Sequence, residues 1–264
     1  MYLENLVIDA VEPQRLGRFW EAVVGGETLT DDPEHGFETR LSIEGGPTLD
    51  LCFQPVTGPP EASPRLHLDL AGGVRQGEEV DRLLGLGARH LDIGQGDEPW
   101  VVLADPEGNA LCVLEDRAEY ADSGPVASFV LHSADPDRDG EFWAWLTSWS
   151  EVTASAPRSL RHPSLKGPLL EFCAEPAPKG ATKNRLHLDV RLERGEDADE
   201  VEALIAEHGG SRLRPEWGEL PWRSYLDPSG NEFCILPPPQ AQQAEPSPST
   251  TAALPNDSLS DSTV

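Results

Sequence analysis

Two histidines frame the chemical question. The stretch Arg65-Leu66-His67-Leu68-Asp69-Leu70 returns almost letter for letter as Arg185-Leu186-His187-Leu188-Asp189-Val190. In a β-strand residues two apart share a face, so each imidazole gains a carboxylate neighbour, Asp69 or Asp189. Such a pair suits a pocket donor or a general base that titrates near neutral pH. A histidine bonded inside a sheet explains the recurrence equally well, because duplication copies structural residues as faithfully as functional ones; the aspartates then merely solvate a strand end. Arg65 and Arg185 fit either an anionic substrate group or an ion pair with one of the many acids. Trp100 and Trp222 suit a flat apolar wall beside a small molecule, whereas Trp20 and Trp143 fall on helical stripes and read as core. Cys52, Cys112, Cys173 and Cys234 each lie in an apolar run rather than a loop framework, the setting of reduced, buried thiols.

The elements that must position these residues come in duplicate. Trp100 through Cys112 echoes Trp222 through Cys234, including Asp105-Pro106-Glu107-Gly108-Asn109 against Asp227-Pro228-Ser229-Gly230-Asn231, and Phe19-Trp20 after Pro13 echoes Phe142-Trp143 after Pro136. The three offsets of 120, 122 and 123 residues agree, which makes the chain a tandem repeat. Each copy reads strand, helix, strands, and then the same series again. In the first, a strand over residues 3–9 precedes a helix from Pro13 with Leu16, Phe19, Trp20 and Val23 on one face, stopped by Gly25-Gly26. Strands follow over 37–43 and 48–54, then 65–70, a helix over 78–86, and strands near 90–93, 100–104 and 109–114. The second copy restarts at 126–132, with helices over 136–146 and 198–208, and carries little strand signal over 148–165. Domains are therefore expected over 3–117 and 125–237, joined by a linker at 118–124. Residues 238–264 are rich in Pro, Ser, Ala and Gln, with no basic residue, and read as a disordered tail.

Lys and Arg number 20 against 47 Asp and Glu, a formal charge of -27. That field repels phosphate backbones and anionic membranes, so neither nucleic acid nor membrane is an expected partner; solubility is the ordinary use of such a surplus. No apolar run long enough for a membrane span and no secretory signal is visible, which points to the cytoplasm.

Together the Phe-Trp helix followed by Gly, the Arg-Leu-His-Leu-Asp strand and the Asp-Pro-x-Gly-Asn-x-x-Cys hairpin resemble the glyoxalase-like domains of the vicinal oxygen chelate superfamily, which includes glyoxalases, extradiol dioxygenases and bleomycin-resistance proteins. The resemblance implies an α+β fold of two tandem domains, each of paired βαβββ modules forming a half-open barrel. It further implies metal-facing positions at Asn5, Cys52, His67 and Cys112, and at Ser128, Cys173, His187 and Cys234. Those residues depart from the two-imidazole, one-carboxylate set of ring-cleaving iron enzymes, and the carboxylates of the isomerase type have become cysteine. Asp50, two before Cys52, is the substitute carboxylate, as Glu171 is beside Cys173. Cys52, His67 and Cys112 would suit zinc, as would Cys173, His187 and Cys234; the alternative is thiols packing as small hydrophobes.

The resulting expectations are a small-molecule cup in each domain or one shared between them. His67, His187 and Asp50 are the catalytic candidates, and Asn5, Ser128, Arg65, Trp100 and Trp222 the substrate-binding ones. Three functions fit: binding and metal-free conversion of a small organic metabolite or drug; a metal-dependent lyase, isomerase or dioxygenase with an altered Cys/His ligand set; and drug sequestration without turnover. The first and third need no cofactor, and the second a divalent metal such as zinc. Duplication mimics two fused subunits, so a monomer is expected.

Overall fold

In a computed structural model, residues 1–58, 64–175, 177–214 and 220–239 are described. The expected tail falls almost wholly outside them. Four modules of one plan succeed one another. The first runs β1 (Tyr2–Ala10), α1 (Pro13–Val24), β2 (Glu27–Asp32), β3 (Gly36–Ser42) and β4 (Thr48–Pro55). The second runs β5 (Leu66–Gly73), α2 (Gln76–Leu86), β6 (Arg89–His90), β7 (Val101–Ala104) and β8 (Ala110–Glu115). The third runs β9 (Val126–Ser133), α3 (Pro136–Thr147), β10 (Ser150–Glu151), β11 (Arg158–Arg161) and β12 (Leu169–Ala174), and the fourth β13 (Leu186–Arg191), α4 (Ala198–Glu207), β14 (Ser211–Leu213), β15 (Arg223–Leu226) and β16 (Glu232–Leu236). The α+β class and the tandem repeat are as the sequence indicates.

Within each module the first strand pairs in parallel with the last, which the intervening helix permits by crossing over the sheet. Modules then join through their first strands, and they do so across the repeat. β1 pairs antiparallel with β13, and β5 with β9. Two eight-stranded sheets result, in the orders β14-β15-β16-β13-β1-β4-β3-β2 and β10-β11-β12-β9-β5-β8-β7-β6. Neither closes on itself, so each is a half-open cup. Of the two arrangements open to the sequence, the cups are shared: cup A takes the first and fourth modules, and cup B the second and third.

Helices cover the outer face of each sheet because the strands alternate. Leu6, Ile8, Leu51, Phe53, Leu186 and Leu188 point into one buried core with Leu16, Phe19, Trp20 and Val23 of α1. α1 lies so close to β3 that a Cβ on Gly17 would stand 2.2 Å from Phe37 Cδ1. Gly17→Ala is therefore expected to cost about 1–3 kcal/mol by overpacking, read as a fall in denaturation midpoint at unchanged m-value. A result equal to wild type would show that Phe37 has room to turn.

The repeated hairpins hold the helices. Trp20 Nε1 donates to Asp105 Oδ2 at 3.1 Å, while Asp105 Oδ1 accepts the backbone N–H groups of Glu107 and Asn109. Trp143 and Asp227 repeat the contact at 3.3 Å. The Phe-Trp and Asp-Pro-x-Gly-Asn motifs thus recur together because one anchors the other. Desolvation raises the carboxyl of Asp105 and brings that of Asp227 up to about 6, against the bonds from Asn109 and Trp20, or Asn231 and Trp143, that favour the charged form.

Candidate functional site

Strand alternation decides which side chains look into each cup. On β13, His187 and Asp189 share the inner face, and the parallel register sets Asp189 opposite Cys234 of β16. The three donors lie within 4.8 Å of one another. In cup B, β5 and β8 repeat this, with Asp69 opposite Cys112 and the same spacing limit on His67, Asp69 and Cys112. His187 Nε2 stands 3.3 Å from Asp189 Oδ1, and His67 Nε2 stands 3.4 Å from Asp69 Oδ1. Neither contact has hydrogen-bond geometry. Asp189 Oδ1, His187 Nδ1, Asp69 Oδ1 and Ser128 Oγ are buried without a hydrogen-bond partner among the described residues. An unpaired buried carboxylate oxygen is costly, so each cluster is a place where a cation would be welcome. At His187 burial opposes the ring's charge, yet contact with Asp189 and the Cys234 thiol raises its pKa to about 10.

Cup A is hollow. A cavity of about 790 Å³ opens above the cluster, with Asn5, His187, Asp189 and Cys234 at its floor and Leu213, Leu220, Trp222 and Leu236 among its walls. Asn5 Nδ2 reaches Asp189 Oδ2 at 3.5 Å. Both basic residues of the lining near the floor are already paired: Lys183 Nζ with Asp9 Oδ2 at 2.6 Å, and Arg191 with Glu4.

The four-residue sets suggested by the resemblance are not brought together as expected. Asn5 and Cys52 sit in cup A with His187 and Cys234, whereas His67 and Cys112 sit in cup B with Ser128 and Cys173. Cys52 is outside the cluster altogether. Val7 of β1 lies between it and His187, a gap of two strand spacings or roughly 10 Å. Its thiol instead donates to Glu38 Oε1 at 3.4 Å, and burial with Glu38 and Asp189 pushes it well up. Cys173 likewise faces His132 across β12 and β9, with its thiol moved up to about 11 by burial, Glu171 and Asp69. Asp50 is clamped by Arg40 through bonds of 2.7 and 2.6 Å and has no free oxygen for proton transfer. Arg65 bonds to Asn231 Oδ1 at 2.8 Å and the His132 carbonyl at 3.0 Å, and Arg185 to Glu107 and the Asp9 carbonyl, with Arg185 Nη1 buried and unpartnered among the described residues. Trp100 lies at cup B with the Arg117 guanidinium 5.8 Å over its ring.

Cup B holds an aromatic side chain that local sequence pattern does not single out. The 3₁₀ turn Ala118–Tyr120, inside the stretch expected to be a plain linker, buries Tyr120 among Val102, Cys112, Leu114, Ala127 and Leu169. Its hydroxyl donates to Glu171, 3.2 Å from both carboxylate oxygens. The signal available was one aromatic within an otherwise polar segment. In the sequence the carboxylates of the two clusters, Asp69 and Asp189, have the pattern of orienting or solvating groups and no metal-ligand spacing of their own.

A family model described as a glyoxalase-like domain matches the sequence twice, over residues 5–114 and 128–236. No functionally curated protein matches it. Among solved structures, glyoxalase I from Zea mays superposes with a TM-score of 0.62 at 17% identity, covering 89% of this chain and 92% of that one. A dioxygenase candidate from Bacillus subtilis subsp. subtilis strain 168 gives 0.55 at 17% identity, covering 91% and 86%. At such identities the likeness is one of fold.

Proposed function

Because the chain belongs to the glyoxalase-like domain family, carrying that domain twice, we propose that it takes up a small organic molecule in cup A, over a floor of His187, Asp189 and Cys234 that holds a divalent cation such as zinc. The observation that carries this reading is the coincidence of a cavity of about 790 Å³ with three converging donors at its base. Cavities of that size accept metabolite- or drug-sized molecules. Imidazole, carboxylate and thiolate are all zinc donors, and two anionic ligands neutralise the ion where burial makes net charge expensive. Three protein ligands beneath an open cavity leave a coordination position for the guest, the pattern of a reactive rather than a structural site. A cation bound there would polarise a carbonyl or hydroxyl oxygen of that guest.

This chain's residues suggest the rest of the guest. Trp222, Leu213, Leu220 and Leu236 favour an apolar body. Lys183 and Arg191 already have carboxylate partners, so a guest carboxylate away from the floor meets no free side-chain cation from these two residues. A neutral molecule with one oxygen donor fits best.

The test is metal analysis after dialysis against Zn²⁺ and then metal-free buffer. In a Cys112→Ser background, which removes the second cluster, about one equivalent should survive, be lost on adding Cys234→Ser, and persist on adding Cys52→Ser. Retention indifferent to Cys234, or none in the wild type, would overturn the reading.

A further inference from the structure

The two cups carry the same His-Asp-Cys cluster, and in cup B a tyrosine packs against it. We propose that Tyr120 is a built-in occupant of cup B, held there by the strap 117–122, and that the space its ring fills is a latent site for a phenol-sized molecule. The inference rests on reading the cups as ligand sites.

The Tyr120 ring lies in a cluster that spans both walls of the cup, from Val102, Cys112 and Leu114 of β7 and β8 to Ala127 and Leu169 of β9 and β12. Its hydroxyl meets Glu171, which is 3% exposed. Burial, Glu171 and Asp69 together push the phenol's pKa up, so the hydroxyl stays a donor. That is how a bound phenol would sit: ring against apolar walls, O–H on a buried carboxylate.

The strap is fastened on both sides of the cup. Toward the second module, Arg117 pairs with Glu115 at 2.6 Å and lies over Trp100. Toward the third, the Glu119 carboxylate accepts from Ser155, the Glu119 carbonyl accepts from Arg161 Nη1 at 3.2 Å, and the Asp122 carbonyl accepts from Gly167 N at 2.9 Å. These are surface bonds, each individually weak, and they border a ring whose removal would leave an aromatic-sized hollow with a carboxylate at its end. Residues 234–264, which follow the matching hairpin of the second repeat, contain no aromatic side chain.

The experiment follows alkylation of Cys112 by iodoacetamide at pH 8.5, resolved by peptide mass spectrometry, in the full chain, with Cys234 as internal control. In the wild type Cys112 should be protected. Tyr120→Ala should raise its rate at least tenfold and leave Cys234 unchanged, which also shows that the rest of the fold is intact. Added 4-methylphenol, the severed tyrosine side chain, should restore protection in Tyr120→Ala, and toluene should restore less because it cannot donate to Glu171. Tyr120→Phe keeps the ring and loses only the hydroxyl; it should fall between wild type and Tyr120→Ala, and it carries the test if the alanine variant does not fold. Equal Cys112 rates in wild type and both variants would overturn the seal, and failure of 4-methylphenol to protect would overturn the latent site. A cup A that retained no cation would leave these contrasts at Cys112 untouched, so the two readings fail separately.

Discussion

Asp189→Ala should lower the affinity of cup A for Zn²⁺ by roughly 10²–10³-fold. A zinc site of four ligands is worth about 10–16 kcal/mol, so one ligand carries a few kcal/mol, and about 1.4 kcal/mol is a factor of ten. The measurement is competition against a chromophoric chelator at pH 7, in a Cys112→Ser background so that the second cluster does not contribute. Two controls sharpen it. Asp50→Asn should change affinity less than about threefold, because Asp50 is already clamped by Arg40. The wild-type affinity should also climb with pH. Zn²⁺ must displace the proton that Asp189 and Cys234 hold on His187, whose pKa stands at about 10. Below that pH, each unit gained should strengthen binding about tenfold from this proton alone. Equal loss in Asp50→Asn and Asp189→Ala would place the cation elsewhere in the cup.

The parts of this site that were legible in the sequence are those that depend on local pattern. Strand alternation put His187 beside Asp189, the closing hairpin put Cys234 on the neighbouring strand, and the repeat doubled both. Which modules face each other was not legible, for a physical reason. A period of about 120 residues is the same whether each module pairs within its own repeat or across to the other, because exchange of identical partners leaves the sequence pattern unchanged. Cys52 was therefore credited to His67's cup although it shares a sheet with His187. The strands missed or poorly placed were those without a buried side. β2 is exposed along most of its length, and β10 is two residues of a sheet edge. Tyr120 escaped because a lone aromatic among Arg117, Glu119 and Asp122 reads as solvated chain, and only the fold shows what it covers.

The exchange of modules makes a second large effect, this one on stability. Arg185→Ala should destabilise the protein by roughly 3–5 kcal/mol, the usual cost of stranding one member of a buried ion pair. Arg185, at the start of β13 in cup A's sheet, pairs with Glu107 in the β7–β8 hairpin of cup B's sheet, and the two side chains are 6% and 8% exposed. Glu107 in turn accepts the backbone N–H groups of Val11 and Glu12 at 3.0 and 2.7 Å, just before α1. One carboxylate thus joins three modules, and removing its cation leaves a buried charge with only dipoles for company. Arg65, the counterpart in the first repeat, meets Asn231, and Ser229 stands where Glu107 would, so that junction contains no such charge pair. Arg65→Ala should cost less, about 1–3 kcal/mol for the unmade bonds to a neutral amide and a carbonyl. Thermal or urea unfolding of both variants decides the matter. Because the cost comes from the stranded carboxylate, Glu107→Gln added to Arg185→Ala should recover part of the loss, whereas a substitution elsewhere should add to it. Failure of the second change to recover anything would mean that lost packing around the arginine, and not the uncompensated charge, sets the penalty.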